Sequence, residues 1–173
     1  MYLRVILLVV LAISFLSQND LVSSSSPSPP RLVYTTCIPE GAGNYTAHGA
    51  YQKNLGTALT TLTSAAISDN ATFSNTTVGD GVDEVFALYY CTGETTAEEC
   101  GACIQSATAQ IVETCPNNKE AIVWYVQCTL RCANRFIFGI EEQTPWAWLA
   151  SNKTVPDYNN LGNLLSFCSI TPF

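Results

Sequence analysis

Three observations predict an α+β fold for this chain. Two stretches repeat apolar residues at helical spacing. The β-prone runs cluster around turn signals instead of alternating with the helices. The half-cystines tie these elements into one unit, with eight cysteines in 173 residues. That length suits a single domain. The composition is 47% hydrophobic and only 12% charged, which argues against disorder. A net charge of -7 leaves no electrostatic footprint for nucleic acid, and a single histidine excludes any mechanism that needs two.

The elements follow in order. Residues 1–24 read as a signal peptide: Arg4 precedes an apolar run from Val5 to Leu16, too short for a membrane span, and small residues follow. Cleavage fits anywhere from Ser17 to Ser26, and after it no membrane span is expected. Residues 25–32 form a Ser/Pro-rich lead-in. Leu32 to Thr36 has β character, and Gly41, Gly43 and Asn44 mark a loop. Tyr51, Leu55, Ala58, Leu59, Leu62, Ala65 and Ala66 define an amphipathic helix over 51–67. Thr72–Val78 and Glu84–Cys91 flank Gly79-Asp80-Gly81 and read as a hairpin. Thr96 and Glu99 form a capping box for a second helix, with a stripe of Cys100, Cys103, Ile104, Ala107, Ile111 and Val112. Ala121–Leu130 reads as one long central strand, Arg135–Ile140 as its antiparallel partner, and Pro156–Phe167 as a last short helix.

A signal peptide places the cysteines in an oxidising compartment, where an even number points to disulfides. They are Cys37, Cys91, Cys100, Cys103, Cys115, Cys128, Cys132 and Cys168. A short loop would tie Cys91 at a strand end to Cys100 at a helix start. Cys103 would then face the central strand at Cys128, leaving Cys115 for Cys37. Eight cysteines have 105 pairings, and spacing does not choose among them. A four-cysteine zinc site at Cys100, Cys103, Cys128 and Cys132 is the rival, and secretion favours bridges over metal. Four sequons, at Asn44, Asn70, Asn75 and Asn152, agree with secretion and belong on the surface.

The spacing C-x8-C-x2-C at Cys91, Cys100 and Cys103 carries a family resemblance. It is joined by Tyr51-Gln52-Lys53-Asn54-Leu55, Phe73 to Gly79, Cys115-Pro116-Asn117, and Lys119 to Tyr125 followed by Cys128, Leu130 and Arg131. Over about Val33 to Gly139 the chain resembles the ginkbilobin-type, salt-stress-response/antifungal domain. That domain occurs in plant cysteine-rich repeat secretory proteins and in the ectodomains of cysteine-rich receptor-like kinases and plasmodesmata-located proteins. The resemblance implies two helices packed on a five-stranded antiparallel sheet. It also implies the disulfides Cys37–Cys115, Cys91–Cys100 and Cys103–Cys128. The domain is therefore expected over 33–140, with residues 141–173 as a tail that resembles an inter-domain linker.

Three departures from the family pattern matter. The founding member binds mannose through an Asn, an Arg and a Glu, whose positions here hold Ile38, Ile122 and Ala133. None of these can match hydrogen bonds to sugar hydroxyls. Cys132 stands where the family has an aromatic residue, and Cys168 lies beyond the domain. They either form a fourth pair or leave one thiol to bridge two chains. Many relatives carry two such domains, so the chain reads either as a single-domain form or as a truncated one.

The remaining candidates favour bland readings. His48 sits in a Gly/Ala-rich loop without a catalytic partner. Glu98-Glu99 reads as helix-start charge, and Glu141-Glu142 as a solvated turn, over paired carboxylates for glycoside hydrolysis. Trp124 is expected in the sheet core, with Tyr125 on the other face. Trp146 and Trp148 are candidates for sugar stacking, a homodimer contact or cover for a second domain. No catalytic residue, cofactor or metal is expected. The function expected is a secreted, non-enzymatic binding or interaction module of plant apoplastic defence or stress signalling, with an unknown protein or glycan ligand. A mannose-type antifungal lectin is the alternative.

Overall fold

The computed structural model describes residues 28–38, 42–142, 147–148 and 169–170. Strand β1 (Leu32–Cys37) leads into helix α1 (Ala50–Ser68). The hairpin strands β2 (Phe73–Val78) and β3 (Val85–Cys91) follow, then helix α2 (Ala97–Thr114), β4 (Ala121–Tyr125) and β5 (Cys128–Ala133). These strands form a five-stranded antiparallel sheet in the order β1-β4-β5-β3-β2. The short strands β6 (Ala147–Trp148) and β7 (Ser169–Ile170) pair with each other.

Both helices lie on one face of the sheet because their apolar stripes match its alternating inward residues. Tyr51, Leu55, Ala58, Leu59, Leu62 and Ala66 of α1 join Cys100, Cys103, Ile104, Ala107 and Ile111 of α2. They pack against Val85, Ala87, Tyr89, Val123, Tyr125 and Leu130. Val112, expected in the α2 stripe, is 47% exposed, because it lies at the edge of the face that meets the sheet. Helix α2 starts at a full capping box. The Glu99 N–H donates to Thr96 Oγ1 at 3.3 Å, and the Thr96 N–H donates to Glu99 Oε2 at 3.0 Å. The Thr96 N–H, and after it the Thr96 hydroxyl, which also donates to Glu99 Oε2 at 3.0 Å, hold the Glu99 carboxyl below its ordinary pKa.

The β2–β3 hairpin forms in the register Val78↔Val85, with a six-residue connection that contains a 3-10 turn over Gly81–Asp83. It is not a two-residue Asp-Gly turn. Gly79 has φ +87°, and a Cβ there would sit 2.2 Å from Asn54 Nδ2. That amide donates to the Asp83 carbonyl at 2.9 Å, which stitches α1 to the connection.

Two sequence expectations fail here. The run Ala121–Leu130 is not one strand. It breaks at Val126 and Gln127 into the hairpin β4–β5, in the register Trp124↔Thr129. No Gly, Asn, Asp or Pro announces this turn. Tertiary partners hold it instead: the Thr92 N–H donates to the Gln127 carbonyl at 2.9 Å, and the Val126 N–H to the Arg31 carbonyl at 3.0 Å. Arg135–Ile140 is not a strand either, because β3 and β4 already flank β5. The segment after β5 folds back over the sheet face opposite the helices, where Ile137 is fully buried against Leu88 and Ala133. The signal peptide, Trp146, Asn152, Cys168 and the helix expected over Pro156–Phe167 lie outside the described residues.

Candidate functional site

The strand registers bring the sequence candidates to the sheet face opposite the helices. Ile122 on β4 lies directly across from Arg131 on β5, which lies across from Leu88 on β3. Ala133 lies across from Phe86. The Ile38 N–H donates to the Glu120 carbonyl at 2.9 Å, so Ile38 and Glu120 continue the same face at its end. The three family sugar positions are therefore brought together, but as an apolar surface. Ile122 and Ala133 are fully buried and Ile38 is half-buried. Trp124 shares this face, fully buried and stacked on Tyr34 at a ring-centroid distance of 6.0 Å. Tyr125, not Trp124, joins the core under the helices. Trp124 is buried and Tyr125 lies on the other face, as expected, but the helices cover the face of Tyr125, since one residue of register exchanges the faces.

The polar chemistry of this corner is a four-membered ionic cluster that sequence reading missed. Arg131 Nη2 donates to Glu120 Oε1 and Glu142 Oε2, both at 2.6 Å. Arg135 grips Glu120 with a two-pronged fork, Nε to Oε2 at 3.1 Å and Nη2 to Oε1 at 2.8 Å. It also bonds both oxygens of Glu142. Glu120 and Arg131 are 3% and 1% exposed, while the Arg135 side chain is 46% exposed. Hydrogen bonds from Arg135 and then Arg131 hold the Glu142 carboxyl down at about 2, and its partners push the Arg135 guanidinium above its usual value. Glu142 is thus a pinned ion-pair partner, not the solvated turn residue expected for Glu141-Glu142, whereas Glu141 is exposed. The cluster is neutral in sum and fastens the 134–142 segment to the sheet. Arg131 Nε and Nη1 and Trp124 Nε1 are buried and find no hydrogen-bond partner among the described residues. The signal that was available is a charge inside an apolar run: Arg131 between Leu130 and Cys132, and Glu120 before Ala121-Ile122-Val123.

The structure joins Cys37 to Cys115, Cys91 to Cys100 and Cys103 to Cys128, at Cα separations of 5.4, 5.7 and 6.1 Å. Cys132 is a free thiol buried on the helix side, in the row Cys37–Ala121–Cys132. Burial, with the Glu120 charge adding to it, pushes its pKa up to about 12. Asn44, Asn70 and Asn75 are exposed. His48 is exposed at φ +62°, with its N–H donating to Gln52 Oε1. Glu98 and Glu99 occupy the first turn of α2. No group of three His, Cys, Asp or Glu among the described residues is placed to hold a metal ion. A second surface, an open groove of about 580 Å³, runs between the helices along Leu59, Thr60, Thr63, Thr108 and Val112. The Thr60, Thr63 and Thr108 hydroxyls donate to carbonyls of their own helices, which leaves the groove with few free polar groups.

Similar proteins agree with this architecture. The salt stress response/antifungal family matches residues 36–135. Cysteine-rich repeat secretory protein 59 of Arabidopsis thaliana is 31% identical over 143 residues, which cover 82% of this chain and 47% of that protein. Cysteine-rich receptor-like protein kinase 26 of the same plant is 39% identical over 103 residues, 60% of this chain and 15% of the kinase. The tandem DUF26 ectodomain of the Arabidopsis cysteine-rich receptor-like protein PDLP8 superposes with a TM-score of 0.63 at 26% identity, covering 74% of this chain and 61% of that one. The chain spans about half the length, or less, of the curated relatives it matches. Several relatives are named as secretory proteins, and no helix among the described residues is long and apolar enough to cross a membrane, consistent with an extracellular location. The capped second helix, the five-stranded sheet and the three bridges, together with the match over residues 36–135, place this chain in the salt stress response/antifungal family of cysteine-rich DUF26 proteins.

Proposed function

We propose that the chain is a non-enzymatic extracellular recognition module of plant defence or stress signalling, and that it acts by contact with a protein rather than by holding a monosaccharide. The observation that supports this reading is the chemistry of the three family sugar positions. Ile38, Ile122 and Ala133 offer no side-chain donor or acceptor, and the nearby Glu120 and Glu142 are committed to Arg131 and Arg135. Each sugar hydroxyl desolvated there without a partner costs about 1–3 kcal/mol. Three such losses, about 3–9 kcal/mol together, match or outweigh the roughly -4 kcal/mol of a millimolar monosaccharide complex. Relatives that are receptor kinases and secretory proteins fit a signalling role, in which one domain type serves both as a soluble and as a tethered recognition unit.

Calorimetric titration with mannose tests the reading directly. No saturable heat is expected at millimolar sugar. A saturable isotherm that is lost on substitution at Ile122 would overturn it and establish the lectin reading. The positive arm is a binding screen against purified receptor ectodomains of the same family.

A further inference from the structure

Strand β2 is an edge of the sheet, and its residues alternate strictly between exposed and half-buried. The exposed set is Phe73, Asn75 and Thr77. Residues two apart on a strand share a face and stand about 6.6 Å from each other. Phe73 is 56% exposed. Asn75-Thr76-Thr77 is a glycosylation sequon centred on the same face. Across the ladder, Tyr90 faces Phe73, Leu88 faces Asn75 and Phe86 faces Thr77, so the asparagine sits at the middle of a mainly apolar rectangle. The other sequons lack this arrangement: the residues two before Asn44, Asn70 and Asn152 are Ala42, Ser68 and Ala150.

We propose that Phe73, Asn75 and Thr77 form one modification unit, in which an N-linked glycan on Asn75 lays its first N-acetylglucosamine over the Phe73 ring. In the covalent step the Asn75 side-chain nitrogen attacks C1 of the sugar at the end of a lipid pyrophosphate-linked oligosaccharide. The N–C1 bond forms, the C1–O bond to the pyrophosphate breaks, and the amide proton leaves with the lipid pyrophosphate. Thr77 supplies the hydroxyl that marks the acceptor. In the folded protein one face of the pyranose presents only C–H bonds. Those hydrogens carry partial positive charge and meet the negative face of the aromatic ring. The contact removes apolar surface of Phe73 from water. The glycan also stands beside a strand edge that carries neither charge nor proline, the usual guards against pairing with another chain. The inference rests on passage through a secretory pathway and is independent of which ligand the domain recognises.

The test uses the full chain secreted from a glycosylating eukaryotic host and trimmed enzymatically to one N-acetylglucosamine per site. Peptide mapping should find Asn75 occupied. Thr77→Ala, which abolishes the sequon and keeps Phe73 and Asn75, should lower Tm by about 2–4 °C. The same change in a Phe73→Ala background should lower it by less than about 1 °C, and bacterially expressed pairs give the effect of Thr77→Ala without sugar. Proton spectra of the trimmed wild type give a readout that needs no variant: ring protons of the Asn75 sugar should lie upfield of those at the other sites. An unoccupied Asn75, an equal loss of Tm in both backgrounds, or unshifted sugar protons would each overturn the proposal.

Discussion

Removing the Glu120 carboxylate should be among the most damaging single changes in the sheet. Glu120 is 3% exposed and accepts hydrogen bonds from Arg131 and Arg135. In Glu120→Ala, Arg131 keeps only Glu142 as an ionic partner, while its Nε and Nη1 are already buried without partners among the described residues. Breaking a buried ion pair from one side costs about 3–5 kcal/mol, because the remaining charge stays desolvated. For a chain of this size that corresponds to roughly 8–15 °C in Tm. Replacing both charges with apolar groups, Glu120→Leu with Arg131→Met, removes the stranded charge and the two orphan donors together. It should return stability to within about 1 kcal/mol of wild type. Arg135 and Glu142 still pair with each other in that double variant. Guanidinium titration at pH 7 with disulfides intact measures these proteins, and adding the single variants Glu120→Leu and Arg131→Met closes the cycle that isolates the coupling. A Glu120→Ala protein within about 1 kcal/mol of wild type would refute the reasoning, since it would mean that water reaches Arg131 and that the cluster is not a low-dielectric site.

Glu142 should make the domain acid-sensitive in a defined window. Its folded pKa of about 2 lies below the ordinary 4.5, so its contribution is complete above about pH 4.5 and is lost as the pH falls towards 2. Solvent screening at the half-exposed Arg135 reduces that contribution to about 1–2 kcal/mol. Glu142→Gln should flatten the stability profile across that interval in acid titrations followed by circular dichroism, and an unchanged slope would count against the pairing. Cys132, with a pKa raised to about 12, should be almost entirely protonated at pH 8 and hidden from reagents. Iodoacetamide should label it only after denaturation, and rapid labelling of the native protein at Cys132 would contradict its burial.

The sequence by itself determined the elements whose cause is local. Helix α2 begins at Thr96 because the Thr96–Glu99 box satisfies its first amides within a single turn. Both helices keep the apolar spacing that their buried faces require. The spacing of Cys91, Cys100 and Cys103, read with the motifs around it, was enough to indicate the family and through it the five-stranded sheet. What only tertiary structure decided are features whose partners lie far along the chain. The turn at Val126 and Gln127 has no turn residue of its own and depends on Thr92 and Arg31. Trp124 and Tyr125 are equally apolar in sequence, so only the pairing register decides which of them lies under the helices. The ionic cluster needs Glu120, Arg131, Arg135 and Glu142, which meet only when β4 and β5 pair and the 134–142 segment folds back over them. A charge in an apolar strand signals in sequence that a partner must exist, because burying it alone costs too much, but the identity of that partner is a property of the folded chain.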